Sequence, residues 1–417
     1  MAPVPTHQPA SPPAASPPAP PPPSSRLPSL TGLRFLAAAL VFVYHSSVSG
    51  AFTDVGLQQD FATAAGSAGF VGVSFFFVLS GFVLTWSARP GDGVRGFWRR
   101  RLVKVYPNHL VTFLAALALL AWNGGSTGLR EGAANLLLLH AWVPRYSYMS
   151  SVNAVSWSLS VEALFYLGFP LLYRAVAAIR PRLLWWAAGA AALAVPLVVL
   201  LAQGLLADQP RWPWGPASFT QIWFVYLFPL ARLPEFVLGM LLARIVATGR
   251  WIPLGRWPAA LLVAGGYLLS LHAPFLYRFE ACTVVPLGLL IAAAAHADAQ
   301  RRPGVLGGRV MVRLGELSFA FYLVHGLVLE YGHRAFGRPA SPFGYGPAWR
   351  TPVAVAFLAG ALGVAVLLAW VLHTVVERPA MRHLAGPRPP AARSTVPSTP
   401  VDRAGGEAPE EGQRLLG

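Results

Sequence analysis

Two residues capable of chemistry interrupt the first apolar run of the chain. In LRFLAAALVFVYH, Leu33 to His45, an arginine and a histidine stand in a stretch otherwise suited to hydrocarbon. A charged and an ionisable side chain inside a bilayer are costly, so each needs a partner or a purpose. The eleven steps from Arg34 to His45 return, at about 100° per residue, to within about 20° of the same helix face. They cover about 16 Å at about 1.5 Å per residue, which puts Arg34 at one mouth of the membrane and His45 near or beyond its middle. A guanidinium can pair with phosphate, and an imidazole titrates near working pH and can take a proton. The plainer readings are a snorkelling anchor for Arg34 and a hydrogen-bonded packing residue for His45.

Other polar residues fall inside apolar blocks. Glu162 lies about two turns into WSLSVEALFYLGF and could orient His45 or receive a proton. Its competing reading is a structural ion pair or interhelical hydrogen bond. Arg232 and Glu235 are three apart on one helix face and most simply neutralise each other, although the pair could line a cavity. His325, with Tyr322 one turn before it, is a candidate second polar wall of that cavity. Glu316 and Glu377-Arg378 read as helix-end or loop-packing features, and His109 and His140 are weaker candidates. No G-x-S-x-G elbow and no His-x4-Asp pattern occurs. Cys282 is the single cysteine, which excludes a disulfide within the chain and cysteine-based metal sites. No metal site and no bound cofactor is expected.

These residues need a scaffold, and composition names its class. Hydrophobic residues make up 55% of the 417 and charged ones 12%, about half the charge of a soluble domain. The apolar residues cluster in blocks of near bilayer-spanning length. The reading is an all-α, polytopic transmembrane helical bundle of about ten spans. They fall roughly at 33–52, 69–87, 103–122, 156–174, 183–205, 219–243, 257–273, 282–298, 314–333 and 351–376. The apolar stretch Ala134 to Val143 is too short to cross and reads as interfacial or re-entrant. Residues 1–28 read as a Pro-rich disordered tail without the apolar core of a signal peptide, 29–384 as the membrane domain, and 385–417 as a second disordered tail too short for an appended catalytic domain.

The net charge of +16 lies mostly between the apolar blocks, where topology explains it better than nucleic-acid binding. With the N-terminus inside, the inner loops hold Arg89, Arg95, Arg99, Arg100, Arg101, Lys104, Arg174, Arg180, Arg182, Arg244, Arg250 and Arg256, with Arg301, Arg302, Arg309 and Arg313 further on. The outer loops hold fewer, which puts both termini on the cytoplasmic side of the cell membrane.

Several blocks together resemble one family, in its order. LTGLRFLAAALVFVYH is similar to the opening helix of the acyltransferase-3 family of integral membrane O-acyltransferases, whose hallmark is a basic residue, ten residues, then His. FVGVSFFFVLSGFVL looks like the family's second helix and FWRRRLVKVYP like its basic inner loop. NAVSWSLSVEALFYLGFPLLY matches its Trp-Ser-Leu-x-x-Glu helix. RLPEFVLGMLL, LGELSFAFYLVH and VVERP complete the series, over about residues 27 to 384. One departure stands out: the family's Arg-x-x-Arg is here Arg101-Leu102-Val103-Lys104, and lysine is a point donor where arginine offers a planar fork.

The resemblance implies acyl transfer, from acyl-CoA as co-substrate, to a hydroxyl of a cell-surface glycan or of a glycosylated secondary metabolite such as a macrolide. In that setting His45 is the candidate base, or a nucleophile carrying the acyl group. Glu162 is its catalytic companion. Arg34, Arg101 and Lys104 are candidates to hold donor phosphates at the cytoplasmic face. The partners are then the lipid bilayer, the acyl donor and a hydroxyl-bearing acceptor, with no nucleic acid. A small-molecule transporter or exporter is the competing class, since intramembrane Arg, Glu and His suit it too. The hydropathy shows no inverted repeat that would favour it.

Overall fold

The structure, a computed structural model, describes residues 27–88, 93–213, 215–340 and 344–386. The two tails expected at the ends lie almost wholly outside the described residues. The described residues form helices, with only isolated bridges at Phe52–Trp349 and Arg211–Ser218 in place of strands. Ten principal helices follow the chain: α1 Pro28–Ser47, α2 Ala68–Ser87, α3 Val94–Trp122, α4 Trp157–Ala178, α5 Leu184–Leu205, α6 Leu233–Ala247, α7 Arg256–His272, α8 Val284–Ala299, α9 Arg309–Arg334 and α10 Thr351–Leu372.

Every expected apolar block is helical, but the count of ten crossings is finer than helix length and composition support. Seven helices are long and apolar enough to cross, and an eighth if Phe219–Leu227 and Pro229–Ala247 are taken as one span bent by 46°. The bend follows from sequence: Pro229 supplies no N–H, and the preceding turn is π-helical. The helices α7 and α8 have 17 and 16 residues. At about 1.5 Å per residue these are several Å short of a hydrocarbon core of about 30 Å. The Ala134–Val143 stretch holds the end of the short helix Leu129–Leu136 and the 3-10 turn His140–Trp142 and does not cross.

The helix carrying Arg34 and His45 sits at the centre, packed between α2 and α9, while α2 also packs against α6. Small residues bring these backbones together, as expected where lipid offers no hydrophobic drive between helices. At Gly315 on α9 a Cβ would collide with the Thr31 carbonyl of α1, and at Gly239 on α6 with the Val78 carbonyl of α2. The start of α1 is fixed from a distance. The Ser29 backbone N–H donates to Asp298 Oδ2 at 2.8 Å, and the Ser29 hydroxyl lies 2.6 Å from Oδ1 of the same carboxylate. Asp298, near the end of α8, therefore serves one of the orphan donors that every helix N-terminus leaves. Asp298→Ala is expected to cost about 2 kcal/mol, seen as a lower unfolding temperature in detergent; an unchanged temperature would show that the cap is idle.

Candidate active site

The eleven-residue spacing on α1 puts its two polar side chains at different levels of one buried track. At the lower level a cavity of about 650 Å³ is lined by Thr31, Arg34, Lys104, Glu316, His373 and Arg378, among others. Arg34 and Lys104 also line a second, narrower cavity of about 130 Å³. Its walls combine apolar residues of α2, such as Val73, Phe77 and Val83, with Ser80, Arg101, Ser158, Glu162, Tyr166 and Tyr322. Three of the donor candidates, Arg34, Arg101 and Lys104, are thus brought together, and Glu162 joins them.

Their charges are satisfied unequally. Lys104 pairs with Glu377, a buried carboxylate that also accepts from the Asn108 amide at 2.9 Å and lies 3.2 Å from His373 Nδ1. Glu377 is therefore more than the helix-end feature its position suggested, and the Lys104 ammonium is already engaged. Arg34 and Arg101 make no ion pair among the described residues, and the Nε of each is buried without a hydrogen-bond partner. Arg101 lies over the rings of Phe97, at 5.5 Å, and Tyr166, at 6.0 Å, which hold its fork in place. Two guanidinium groups with unmet donors on one cavity wall make a place for an anion.

His45 stands above this cavity, and its companion is not Glu162. Glu162 accepts from the Tyr166 hydroxyl at 2.8 Å. The partner of His45 is His325, fully buried on α9, whose Nε2 lies 3.1 Å from His45 Nδ1. The network assigns the tautomers. His325 Nδ1 is 2.7 Å from the Tyr322 carbonyl and must carry the proton there, leaving Nε2 as an acceptor. His45 Nδ1 then carries a proton, shared between His325 and the Val41 carbonyl at 2.9 Å. What remains is a lone pair on His45 Nε2, the arrangement a general base requires. Aromatic rings hold the pair: Phe321 stacks on His325 at 5.8 Å and 15°, and Tyr44 meets His45 edge-on at 5.2 Å.

Neither histidine lines the narrow cavity. Phe76 and Tyr322, whose rings are 6.1 Å apart, both line that cavity, and the Tyr322 hydroxyl is tied to the Val155 carbonyl at 3.1 Å. The ring of Tyr322 is in turn 5.7 Å from that of His325. Tyr322 therefore borders both the cavity and the histidine pair.

Arg232 and Glu235 border neither of these two cavities. Arg232 is fully buried, 2.9 Å from Glu235 and 2.5 Å from Glu280, with Ser74 at 3.2 Å and the rings of Phe77 and Tyr226 each at 5.2 Å. The third member, Glu280, enters from the segment between α7 and α8 and was not singled out from sequence. His140 is also structural: its Nε2 is 3.4 Å from the Ser156 hydroxyl, and burial holds its imidazole down to about 3, neutral at any working pH. Tyr166 and Phe76 are site residues that sequence reasoning passed over, and Glu377 was read only as a helix-end feature; the spacing of Glu162 and Tyr166, one turn apart, carried a signal.

A family model for an acyltransferase domain matches residues 27–373. The chain belongs to the acyltransferase-3 family. It is 45% identical over 383 residues to Acyltransferase MdmB of Streptomyces mycarofaciens, covering 90% of this chain and 96% of that one. It is 26% identical over 332 residues to the putative peptidoglycan O-acetyltransferase YrhL of Bacillus subtilis and 26% over 333 to the peptidoglycan O-acetyltransferase OatA of Listeria monocytogenes. Those matches take in 72% of this chain and about half of the relatives' lengths, 48% and 49%. No solved structure matches. The acyltransferase-3 membership and the helices long enough to cross a bilayer make this chain a multi-pass membrane O-acyltransferase.

Proposed function

We propose that the chain transfers an acetyl or other short acyl group from acyl-CoA to a hydroxyl of a glycan or a glycosylated small molecule. The observation that carries this reading is the track itself. Two unpaired guanidinium groups line a cavity that Tyr322 also borders, and Tyr322 lies beside His325, the partner of an imidazole whose hydrogen bonds leave its Nε2 free to accept a proton. Arg34 and Arg101 hold the donor's phosphates, and Lys104, kept by Glu377, supports the local positive field. The thioester passes the Phe76 and Tyr322 rings, His45 Nε2 takes the proton of the acceptor hydroxyl, and the alkoxide attacks the thioester carbonyl. The thiolate of CoA leaves and recovers the proton from the imidazolium. We place the chain in the cell membrane with ten crossings and both termini cytoplasmic. The arginine-rich loops support this, and α7 and α8, which pack on each other, cross where the bilayer thins around them.

Purified protein supplied with acetyl-CoA and an alcohol acceptor is expected to release free thiol; uptake into vesicles without thiol release would instead mark a carrier. Deleting the gene product and weighing candidate glycans and metabolites identifies donor and acceptor together, through a mass difference of one acyl group. Arg34→Gln and Arg101→Gln are each expected to raise the KM for acetyl-CoA about tenfold or more. Lysine at either position would restore only part of this, because it lacks the fork. Unchanged KM values would remove these residues from the donor site.

A further inference from the structure

We propose that Glu162 is a donor-binding residue that accepts hydrogen bonds from the flexible pantetheine arm of CoA; the inference rests on the donor reading above. The observation is a separation of charge. Four charged side chains border the narrow cavity: Arg34, Arg101, Lys104 and Glu162. In a site of low dielectric such opposite charges are expected to pair, yet Lys104 takes Glu377 and neither arginine takes Glu162. Glu162 Oε2 instead accepts from the Tyr166 hydroxyl, which donates at 2.8 Å from the next turn of α4. Glu162 Oε1 has no hydrogen-bond partner among the described residues, although the side chain borders the cavity.

A cavity that keeps unpaired cations and an unpaired acceptor apart suits a ligand that brings both complements at once. It must carry an anionic group at one end and N–H or O–H donors further along. The donor's arm has that constitution, because a phosphate leads into amide N–H groups and a hydroxyl before the thioester. Ser80 and Ser158, on the same walls, add further polar contacts, while Val73, Phe76, Phe77 and Val83 cover the arm's methylenes and methyls. This assignment also explains why Glu162 is absent from the His45–His325 pair.

The experiment measures equilibrium binding of three probes to the full-length protein in detergent: CoA, 4′-phosphopantetheine and adenosine 3′,5′-bisphosphate. Glu162→Leu removes the acceptor and is expected to weaken CoA and 4′-phosphopantetheine at least about tenfold, with a much smaller effect on the bisphosphate, which has no arm. Tyr166→Phe leaves the carboxylate free to swing to an arginine, and the same selective pattern is expected at smaller amplitude. That second variant keeps the test decisive if Glu162→Leu folds poorly. Equal weakening of all three probes, or none for any, would overturn the proposal while leaving the donor reading intact. Wild-type protein that binds none of them would overturn both.

Discussion

His45→Gln is expected to lower kcat for acyl transfer by about 10²- to 10⁴-fold while the affinity for CoA stays within a factor of about two. Glutamine fills similar space and can still hydrogen-bond to the Val41 carbonyl or His325, so α1 keeps its packing. It cannot take a proton at working pH, and the reaction loses its base. The split matters because Arg34 and Arg101, which line the narrow cavity, are untouched by the change. Turnover that survives the substitution would end the assignment. Loss of CoA binding in parallel would show that position 45 acts on the donor rather than on the chemistry. Trapped acyl-protein that vanishes in His45→Gln would favour a covalent acyl-histidine over direct base catalysis. His325→Phe takes away the acceptor that orients the imidazole, and a smaller fall in kcat at unchanged donor affinity is expected.

Arg232→Met is expected to cost about 3–5 kcal/mol of stability, enough to scatter the protein on size exclusion. The substitution leaves Glu235 and Glu280 facing each other in an apolar shell with no cation between them. Removing the charge on both sides is the informative rescue. With Glu235→Gln and Glu280→Gln added, the methionine variant is expected to regain much of the loss, as neutralised buried triads commonly do. If the rescued protein also turns over donor, Arg232 and Glu235 are structural. Rescue of folding without activity would return the pair to the site.

The positions of the helices were legible in the sequence because hydrocarbon imposes a pattern that needs only local reading: a long apolar block must be helical to satisfy its own backbone. What was not legible was how far each helix reaches, since the ends of α7 and α8 depend on neighbours rather than on composition. The site divided along the same line. Arg34 and His45 sit on one helix, and their shared face follows from periodicity alone. The link from His45 to His325 spans 280 positions, and that from Lys104 to Glu377 spans 273. Nothing in a local pattern chooses those partners over Glu162 or Glu316. Arg232 taught the same lesson: its neighbour three residues on was evident, and Glu280 was not.

The Phe76 and Tyr322 rings on the wall of the narrow cavity bear on fidelity. The histidine pair does not border the narrow cavity, so a thioester held among the lining residues there is kept from the proposed base. On the proposed reading, that separation lets an acceptor alcohol at His45 compete with water for the thioester on favourable terms.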